Sequence, residues 1–311
     1  MQIGVNVVNR GALARPEFMV RFVRRAEELG VHSATVTDHI VIPKAVPSNY
    51  PYHPQGEFHW EEAREYYEPL TLLTFLAGHT EKIRLGVSVL IISYRNPVIV
   101  AKMLATIDAL SGGRVFLGVG TGWWEDEYKA LGIPGHFRER GKRTDEYIRI
   151  YRELWSNEQP AFDGEFYQFG NIEVSPKPVQ KGGIPIWIGG HTNRALRRAA
   201  ELGDAWHPIG LRPPAGLDAQ ELAAKRDQLA ELAQAAGRDP KSIPICFRAP
   251  IIFSDSGRAP LMGNSGQIVE DIKAYEAVGV SHITLDVVGG SADEVFANLE
   301  RMGQEVLPQV S

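Results

Sequence analysis

The chain has 311 residues, of which 44% are hydrophobic and 23% are charged, as is ordinary for a globular protein. Its formal net charge of −5 argues against nucleic acid as a partner. The single cysteine, Cys246, excludes an internal disulfide and favours a reducing, cytoplasmic location. The first residues lack a basic flank before an apolar core, and no apolar run approaches the roughly 20 residues of a membrane span. We therefore expect no secretion signal and no membrane partner.

The start of the chain predicts a strand, a helix and a second strand. Residues 2–7 are apolar and extended in character, residues 16–29 carry an apolar helical face, and residues 32–37 form the next apolar run. Between residues 40 and 67, prolines alternate with aromatic residues and histidines. So long a segment inside a compact domain is usually functional. We expect an ordered insertion that covers a site.

The clearest strand–helix–strand unit follows after a short helix over residues 69–78. Residues 83–91 are almost wholly apolar, as in a strand that is buried on both faces. Asn96 and the proline after it predict a helix start, and the helix runs to about residue 110. A second apolar strand over residues 114–119 ends in Gly120-Thr121-Gly122. These small residues let a flat ligand approach the backbone.

The same alternation continues to the end of the chain. A loop over residues 123–136 and a helix over residues 137–155 precede a small β excursion over residues 161–179. Four further strands, each followed by a helix, are predicted over residues 185–188, 204–207, 243–253 and 282–288. Eight strand–helix units predict an α/β fold, a closed (β/α)₈ TIM barrel that forms one domain over residues 1–311. It would have insertion loops after strands 2 and 4 and the β excursion before strand 5. An open doubly wound sheet is the alternative, although it does not need eight strands.

In such a barrel the active site lies where the strands end at their carboxyl side. The predicted strand ends carry Asn6, Asp38, His39, Ser88, Val89, Thr121, Gly122, Gly189, Gly190, His207 and Asp286. The histidines and carboxylates among them are too few and too scattered for a metal, so we predict no metal site. The chain also lacks the Gly-x-Ser-x-Gly turn of serine hydrolases.

Gly189 and Gly190 lead from a strand directly into a predicted helix. The amide groups at a helix start, approached over glycines, favour an anion such as a cofactor phosphate. The alternative is a plain turn that happens to contain glycine, and the residues alone leave both interpretations open.

Several longer stretches resemble a known family. They include SATVTDHIVIP, LGVSVLIISYRNPVIVAKMLATIDALSGGRVFLGVGTGWW and VSPKPVQKGGIPIWIGG. Together they are similar to the luciferase-like monooxygenase superfamily of flavin- and deazaflavin-dependent (β/α)₈ enzymes. The likeness spans about residues 2–307 and is strongest to the branch described as probable coenzyme F420-dependent oxidoreductases.

This resemblance implies a cofactor position. The ring would lie over a bulge of the third strand at Ser88 and Val89, which in the family often holds a non-prolyl cis peptide bond. Thr121 and Gly122 would line the edge of the ring. Gly189, Gly190, His191 and Thr192 would receive the phosphate. Arg143 either reaches that phosphate or an acidic tail, or belongs to a solvated helix face.

The resemblance also implies a proton-handling residue. His39 follows Asp38 at the second strand end, as in deazaflavin relatives, and Asp38 would orient it. Histidine side chains ordinarily titrate near pH 6.5, which suits a general acid or base. A histidine that merely caps a loop is the alternative.

One departure from the family concerns the residue after Gly122. Sugar-phosphate dehydrogenases of this branch carry glutamate there, whereas this chain has Trp123. The acid would be absent or supplied by Glu125 or Asp126. Trp123 and Trp124 would form an apolar substrate wall, with His207 as a further substrate contact, and the substrate would be small and uncharged.

The expected function is therefore an F420-dependent oxidoreductase that moves a hydride between C5 of the deazaflavin and a small organic substrate without O₂. An FMN-dependent monooxygenase that uses O₂ is the first alternative. A non-catalytic flavin-binding homologue is the second, and Trp123 is its best support. Because relatives are often homodimers, we expect a homodimer.

Overall fold

The computed structural model describes residues 1–44, 65–212 and 214–310. Eight parallel strands form a closed barrel in the order in which they occur in the chain, and the sixth strand pairs with the seventh to complete it. The barrel strands are β1 (Gln2–Asn6), β2 (Ser33–Val36), β3 (Arg84–Ile91), β4 (Val115–Gly120), β7 (Ile186–Gly189), β8 (Ala205–His207), β9 (Ile245–Phe253) and β11 (Val280–Val287). The predicted (β/α)₈ barrel is confirmed.

Helices surround the barrel and start and stop where the sequence signals lie. They are α1 (Pro16–Glu28), α2 (Pro69–Ala77), α3 (Pro97–Ser111), α4 (Glu125–Ala130), α5 (Pro134–Ser156), α6 (Asn193–Leu202), α7 (Ala219–Ala235), α8 (Ser265–Ala277), α9 (Ala292–Arg301) and α10 (Leu307–Val310). The Asn96 side chain accepts hydrogen bonds from the Val98 and Ile99 amides at the start of α3. Gly112 ends that helix with a φ of 69°, a conformation that favours glycine.

The three predicted excursions from the barrel have different outcomes. The small β excursion is present as an antiparallel pair, β5 (Phe162–Asp163) and β6 (Gln168–Phe169). The segment after the fourth barrel strand is more ordered than predicted, because it contains α4 and because α5 begins at Pro134. Most of the predicted insertion after the second strand lies outside the described residues. A further two-residue strand, β10 (Met262–Gly263), pairs with β9 at the edge of the barrel.

The third barrel strand is irregular at its carboxyl end. The pairing between β3 and β4 shifts register between Val87 and Leu90, and the Ser88–Val89 peptide bond is cis. Both the bulge and the cis bond were predicted at this position, and both are confirmed. The register between β3 and β4 skips Ser88 and Val89, as at a β-bulge.

None of the helices in the described parts of the chain is both long enough and apolar enough to span a lipid bilayer. Apolar side chains of the strands pack against the inner faces of the helices in one large core cluster. A separate cluster consists of the strand residues Phe116, Trp187, Ala205 and Cys246.

Candidate functional site

A cavity of about 360 Å³ opens at the carboxyl end of the barrel, within the usual range of small-molecule sites. Most of the predicted site residues line it, namely Asp38, His39, Ser88, Val89, Thr121, Gly122, Trp123, Gly189, Gly190, Thr192 and His207. The structure therefore brings the residues from the separate strand ends together around one space. Trp124, His191 and Arg143 belong to its surroundings rather than to its lining.

The imidazole of His39 is held by a carboxylate from α4. Its Nδ1 lies 2.7 Å from Oε2 of Glu127, and because a carboxylate only accepts hydrogen bonds, Nδ1 carries the proton. Glu127 is fully buried and also accepts hydrogen bonds from the Tyr94 hydroxyl at 2.8 Å and from the Ile40 amide at 2.7 Å. This network fixes the tautomer of His39 with the proton on Nδ1, so Nε2 is the ring nitrogen that can accept a further proton.

Asp38 has a different role from the one expected. Its two carboxylate oxygens accept hydrogen bonds from Arg95, each at 2.8 Å, and one of them also accepts from the Ile91 amide at 2.9 Å. Arg95 is held in turn by Glu68. Asp38 therefore ties the end of β2 to the end of β3, while the carboxylate that orients His39 belongs to Glu127.

The sequence did not point to Glu127, because its pattern predicts a loop over residues 123–136. The two acids proposed from the sequence, Glu125 and Asp126, lie on the outside of α4 and pair with Lys129. A helical interpretation of EDEYKAL could have found Glu127, because a helix places it on the same face as Leu131, four residues later.

The two tryptophans form one wall beside His39. Their rings are stacked with centroids 5.0 Å apart and planes 11° apart. Trp123 lines the cavity, whereas Trp124 lies behind it and is only 1% exposed. Both rings meet the imidazole of His39 edge-on. The wall therefore places an apolar surface beside the imidazole.

The glycines opposite His39 make room for the bulge. A Cβ added to Gly120 would lie 2.4 Å from Val89 Cγ2, and a Cβ added to Gly189 would lie 2.8 Å from Val89 Cγ1. These glycines therefore accommodate the Val89 side chain, which packs against β4 and β7. Val89 and the two glycines therefore line this part of the cavity together.

A buried series of hydrogen-bonded polar groups forms the floor of the cavity. His207 accepts a hydrogen bond at Nε2 from the Ser88 hydroxyl at 2.7 Å, while its Nδ1 donates to the carbonyl of Cys246. Burial lowers the pKa of His207 to about 4, so the ring is neutral at pH 7. Its predicted substrate role stays a prediction, and its contacts place it beneath the bulge.

Arg248 connects this floor to β11. Its Nη1 donates to the carbonyl and the hydroxyl of Ser88, and its Nη2 donates to Asp286 at 2.7 Å. Burial alone would raise the pKa of Asp286, but the guanidinium groups of Arg248 and Arg212 outweigh it and keep the pKa below its usual value. Asp286 is therefore a carboxylate at all physiological pH values.

The start of α6 has the donors that a phosphate needs. The Thr192 side chain caps the Ala195 amide, and no side chain of the described residues caps the amides of Asn193 and Arg194. Gly190 precedes them with a φ of 94°, and it brings bare backbone to the cavity wall. This donor set fits the phosphate of a flavin or deazaflavin. His191 beside it is half-buried, and burial lowers its pKa.

Arg143 lies on α5 and is not among the residues that line the cavity. Its guanidinium pairs with Glu139 at 2.7 Å and stacks on Phe166 at 4.0 Å from the ring centroid. These contacts match the helix-face alternative, and a contact of Arg143 with a cofactor phosphate stays a prediction.

Several cavity residues were not predicted from the sequence, among them Arg248 on β9 and three residues on loops. Arg10, Tyr66 and Arg212 line the cavity from the loops that follow β1, the second-strand insertion and β8. The strand-end argument did not reach them because they lie several residues beyond the strands.

Comparison with known proteins gives the family. The sequence model of the luciferase-like monooxygenase family matches residues 1–261. An uncharacterized protein of Mycobacterium tuberculosis is 33% identical over 301 residues, covering 94% of this chain and 96% of its own length. The FMNH₂-dependent dimethylsulfone monooxygenase of Pseudomonas putida is 27% identical over 292 residues, covering 78% of each chain.

A solved structure of an F420-dependent secondary alcohol dehydrogenase, in complex with an F420–acetone adduct, superimposes with a TM-score of 0.81. It is 18% identical and the match covers 100% of this chain and 99% of the other. At this identity the likeness shows a shared barrel. From the family model and the relative that is one-third identical over nearly its whole length, we conclude that this chain belongs to the luciferase-like monooxygenase family.

Proposed function

We propose that the protein is an F420-dependent oxidoreductase that exchanges a hydride between the deazaflavin and a small organic substrate. The observation that carries the proposal is that His39, held by Glu127, lines the same cavity as the Ser88–Val89 bulge. A bound deazaflavin supplies the hydride chemistry, and a reaction of this kind also requires a proton at the substrate.

In this proposal, the residues of this chain transfer the proton, position the cofactor ring and keep water away from the reacting groups. Nε2 of His39 would give or take the proton, because Nδ1–H is engaged by Glu127. The buried carboxylate stabilises the imidazolium that forms when the proton is taken up. Trp123 closes that side to water, and the backbone at Ser88–Val89 together with Thr121 would hold the ring against the floor. Gly190 and the start of α6 would hold the phosphate.

An FMN-dependent monooxygenase is the second candidate. The similarity to the FMNH₂-dependent dimethylsulfone monooxygenase over 78% of each chain supports it. Both candidates use the same cavity and differ in the cofactor and in the need for oxygen.

The test is to titrate the purified protein separately with F420 and with FMN, and then to assay oxidation of the reduced cofactor by added small organic acceptors with and without O₂. We expect saturable binding of F420 and oxygen-independent turnover. His39→Gln should lower turnover by about 10²–10⁴-fold, the usual contribution of a general acid or base, while F420 affinity is unchanged. His79→Gln is the matched control, because His79 follows α2 at the opposite end of the barrel.

The other outcomes separate the hypotheses. Turnover only with FMN and O₂ would support the monooxygenase. Binding without any turnover in wild type would support a non-catalytic homologue. The absence of saturable binding for both cofactors would refute the proposal.

A further inference from the structure

The carboxylate of Glu127 is shared by several donors, two at each oxygen. Oε1 accepts from the Ile40 amide at 2.7 Å and from the Val41 amide at 3.3 Å. Oε2 accepts from Nδ1 of His39 at 2.7 Å and from the Tyr94 hydroxyl at 2.8 Å. The oxygen that holds the imidazole is therefore the same oxygen that accepts from Tyr94.

Tyr94 is fixed beside this oxygen by the chain and by packing. It ends the short 3₁₀ turn Ile92–Tyr94, which directly follows β3 and its bulge. Its side chain is buried, and its ring packs edge-on against Tyr128 with centroids 4.6 Å apart. Burial and the nearby Glu127 raise the pKa of the Tyr94 hydroxyl above its ordinary value. The hydroxyl therefore keeps its proton at pH 7 and acts as a donor to Glu127.

The strength of the Tyr94 hydrogen bond depends on the charge state of its neighbours. A hydrogen bond to a carboxylate is stronger when the charge on the oxygen is not balanced by a nearby cation. Among the residues that the structure describes, Glu127 pairs with His39 and with no lysine or arginine. The Tyr94 hydroxyl therefore stabilises Glu127 more when His39 is neutral than when His39 is an imidazolium.

We propose that Tyr94 is a positioning residue that limits the proton affinity of His39. By sharing Oε2 of Glu127, its hydroxyl weakens the hold of the carboxylate on the protonated imidazole, so that His39 can release a proton as well as bind one. The inference rests on the proposed function for its meaning in catalysis. It extends the His39–Glu127 pair to a third residue, on the segment that follows the bulge.

Other ionisable groups border the pair from the neighbouring elements. They are Asp38 after β2, Arg95 after β3, Tyr128 on α4, His136 and Arg140 on α5, and Tyr66 beside the imidazole. Each of them contacts a group other than Glu127, and within the described chain none of them donates to its carboxylate. Removal of the Tyr94 hydroxyl is therefore the substitution that changes Oε2 most directly while it leaves His39 in place.

The test follows the imidazole signal of His39 by NMR spectroscopy as a function of pH, in the purified protein without added cofactor. His39→Gln identifies this signal among those of the nine histidines. We expect Tyr94→Phe to raise the midpoint of the His39 titration by about 0.5–1 pH unit, because part of the strength of one hydrogen bond to a charged group is at stake. The pH profile of turnover in the cofactor-loaded protein should move in the same direction.

Tyr275→Phe is the matched control. Tyr275 is also a buried tyrosine whose hydroxyl donates a hydrogen bond, in this case to the Leu217 carbonyl, and it lies on the outer helix α8. It should leave the His39 midpoint unchanged. Because Tyr94→Phe keeps the ring that packs against Tyr128, we expect the fold to be retained, and the signals of the other histidines report on it.

A second variant shows whether Tyr94 acts through the carboxylate. Glu127→Gln removes the negative charge and should lower the His39 midpoint by about 1–3 pH units, as when an opposite charge is lost. In that background Tyr94→Phe should have little further effect, because no charge remains for the hydroxyl to share. This cycle of single and double variants isolates the coupling between the two residues.

A raised midpoint that disappears in the Glu127→Gln background would support the inference. It would be overturned by an unchanged or lowered midpoint in Tyr94→Phe, and also by a shift of equal size in both backgrounds. A raised midpoint with an unmoved pH profile of turnover would instead refute proton transfer by His39. That role belongs to the proposed function, and the two failures are therefore distinguishable.

Discussion

The two sides of the cavity differ in how their charges are balanced. On the β2–β4 side, Glu127 accepts hydrogen bonds from His39, Tyr94 and Ile40, and Asp38 pairs with Arg95. On the β8–β1 side, Asp286 is shared by two arginines. The first side holds one imidazole in place, whereas on the second a single buried carboxylate joins two arginines, one after β8 and one on β9. The comparison suggests that the first side performs proton transfer and that the second fixes the position of its arginines.

The largest effect on stability and turnover is expected for Glu127, on the β2–β4 side of the cavity. Glu127→Ala would leave the imidazole of His39, the Tyr94 hydroxyl and the Ile40 amide without their common acceptor. We expect a loss of about 3–5 kcal/mol in the free energy of unfolding, as when one partner of a buried pair is removed. Turnover should fall with it. Glu127→Gln should cost less, because the amide oxygen can still accept from Ile40. Denaturant titration with turnover assays measures both effects.

Glu125→Ala is the control for this prediction, because Glu125 lies two residues away on the exposed face of α4 and pairs only loosely with Lys129, at 3.8 Å. It should change neither stability nor turnover. Equal effects of the Glu125 and Glu127 variants would show that the buried contacts of Glu127 make no contribution of their own.

A smaller effect is expected for His207 in the floor of the cavity, and it concerns the pH dependence of stability. In the folded protein the pKa of His207 is about 4, whereas an unfolded histidine titrates near 6.5. Between these values the unfolded state binds more protons, so stability should be fully present above about pH 6.5 and should decline as the pH falls toward 4. The decline from this group alone is roughly 3 kcal/mol in total.

The stability profile of His207→Gln should be flatter over the same pH window. His79→Gln serves as the comparison and should keep the wild-type slope. His282 is also neutral in the fold, since burial places its pKa well below the ordinary value, so the slope in His207→Gln should be reduced rather than abolished. An unchanged slope in His207→Gln would show that the floor histidine does not contribute.

The sequence was sufficient to predict the barrel because its strands are continuous apolar runs and its helices carry local start and stop signals, such as Asn96 and Gly112. Residues at strand ends, including His39 and Ser88, were located for the same reason. Glu127 was missed because only the helical geometry of α4 turns it inward. The pairing of Arg248 and Arg212 with Asp286 joins positions far apart in sequence, and no local pattern specifies such a contact.

The most direct test of the central claim is a crystal structure of the protein with bound F420 or FMN. The account predicts that the ring lies against the Ser88–Val89 bulge with His39 on its substrate side, and that the phosphate lies at Gly190 and the start of α6. A cofactor bound outside this cavity, or a phosphate held by Arg10 and Arg212 instead, would contradict it.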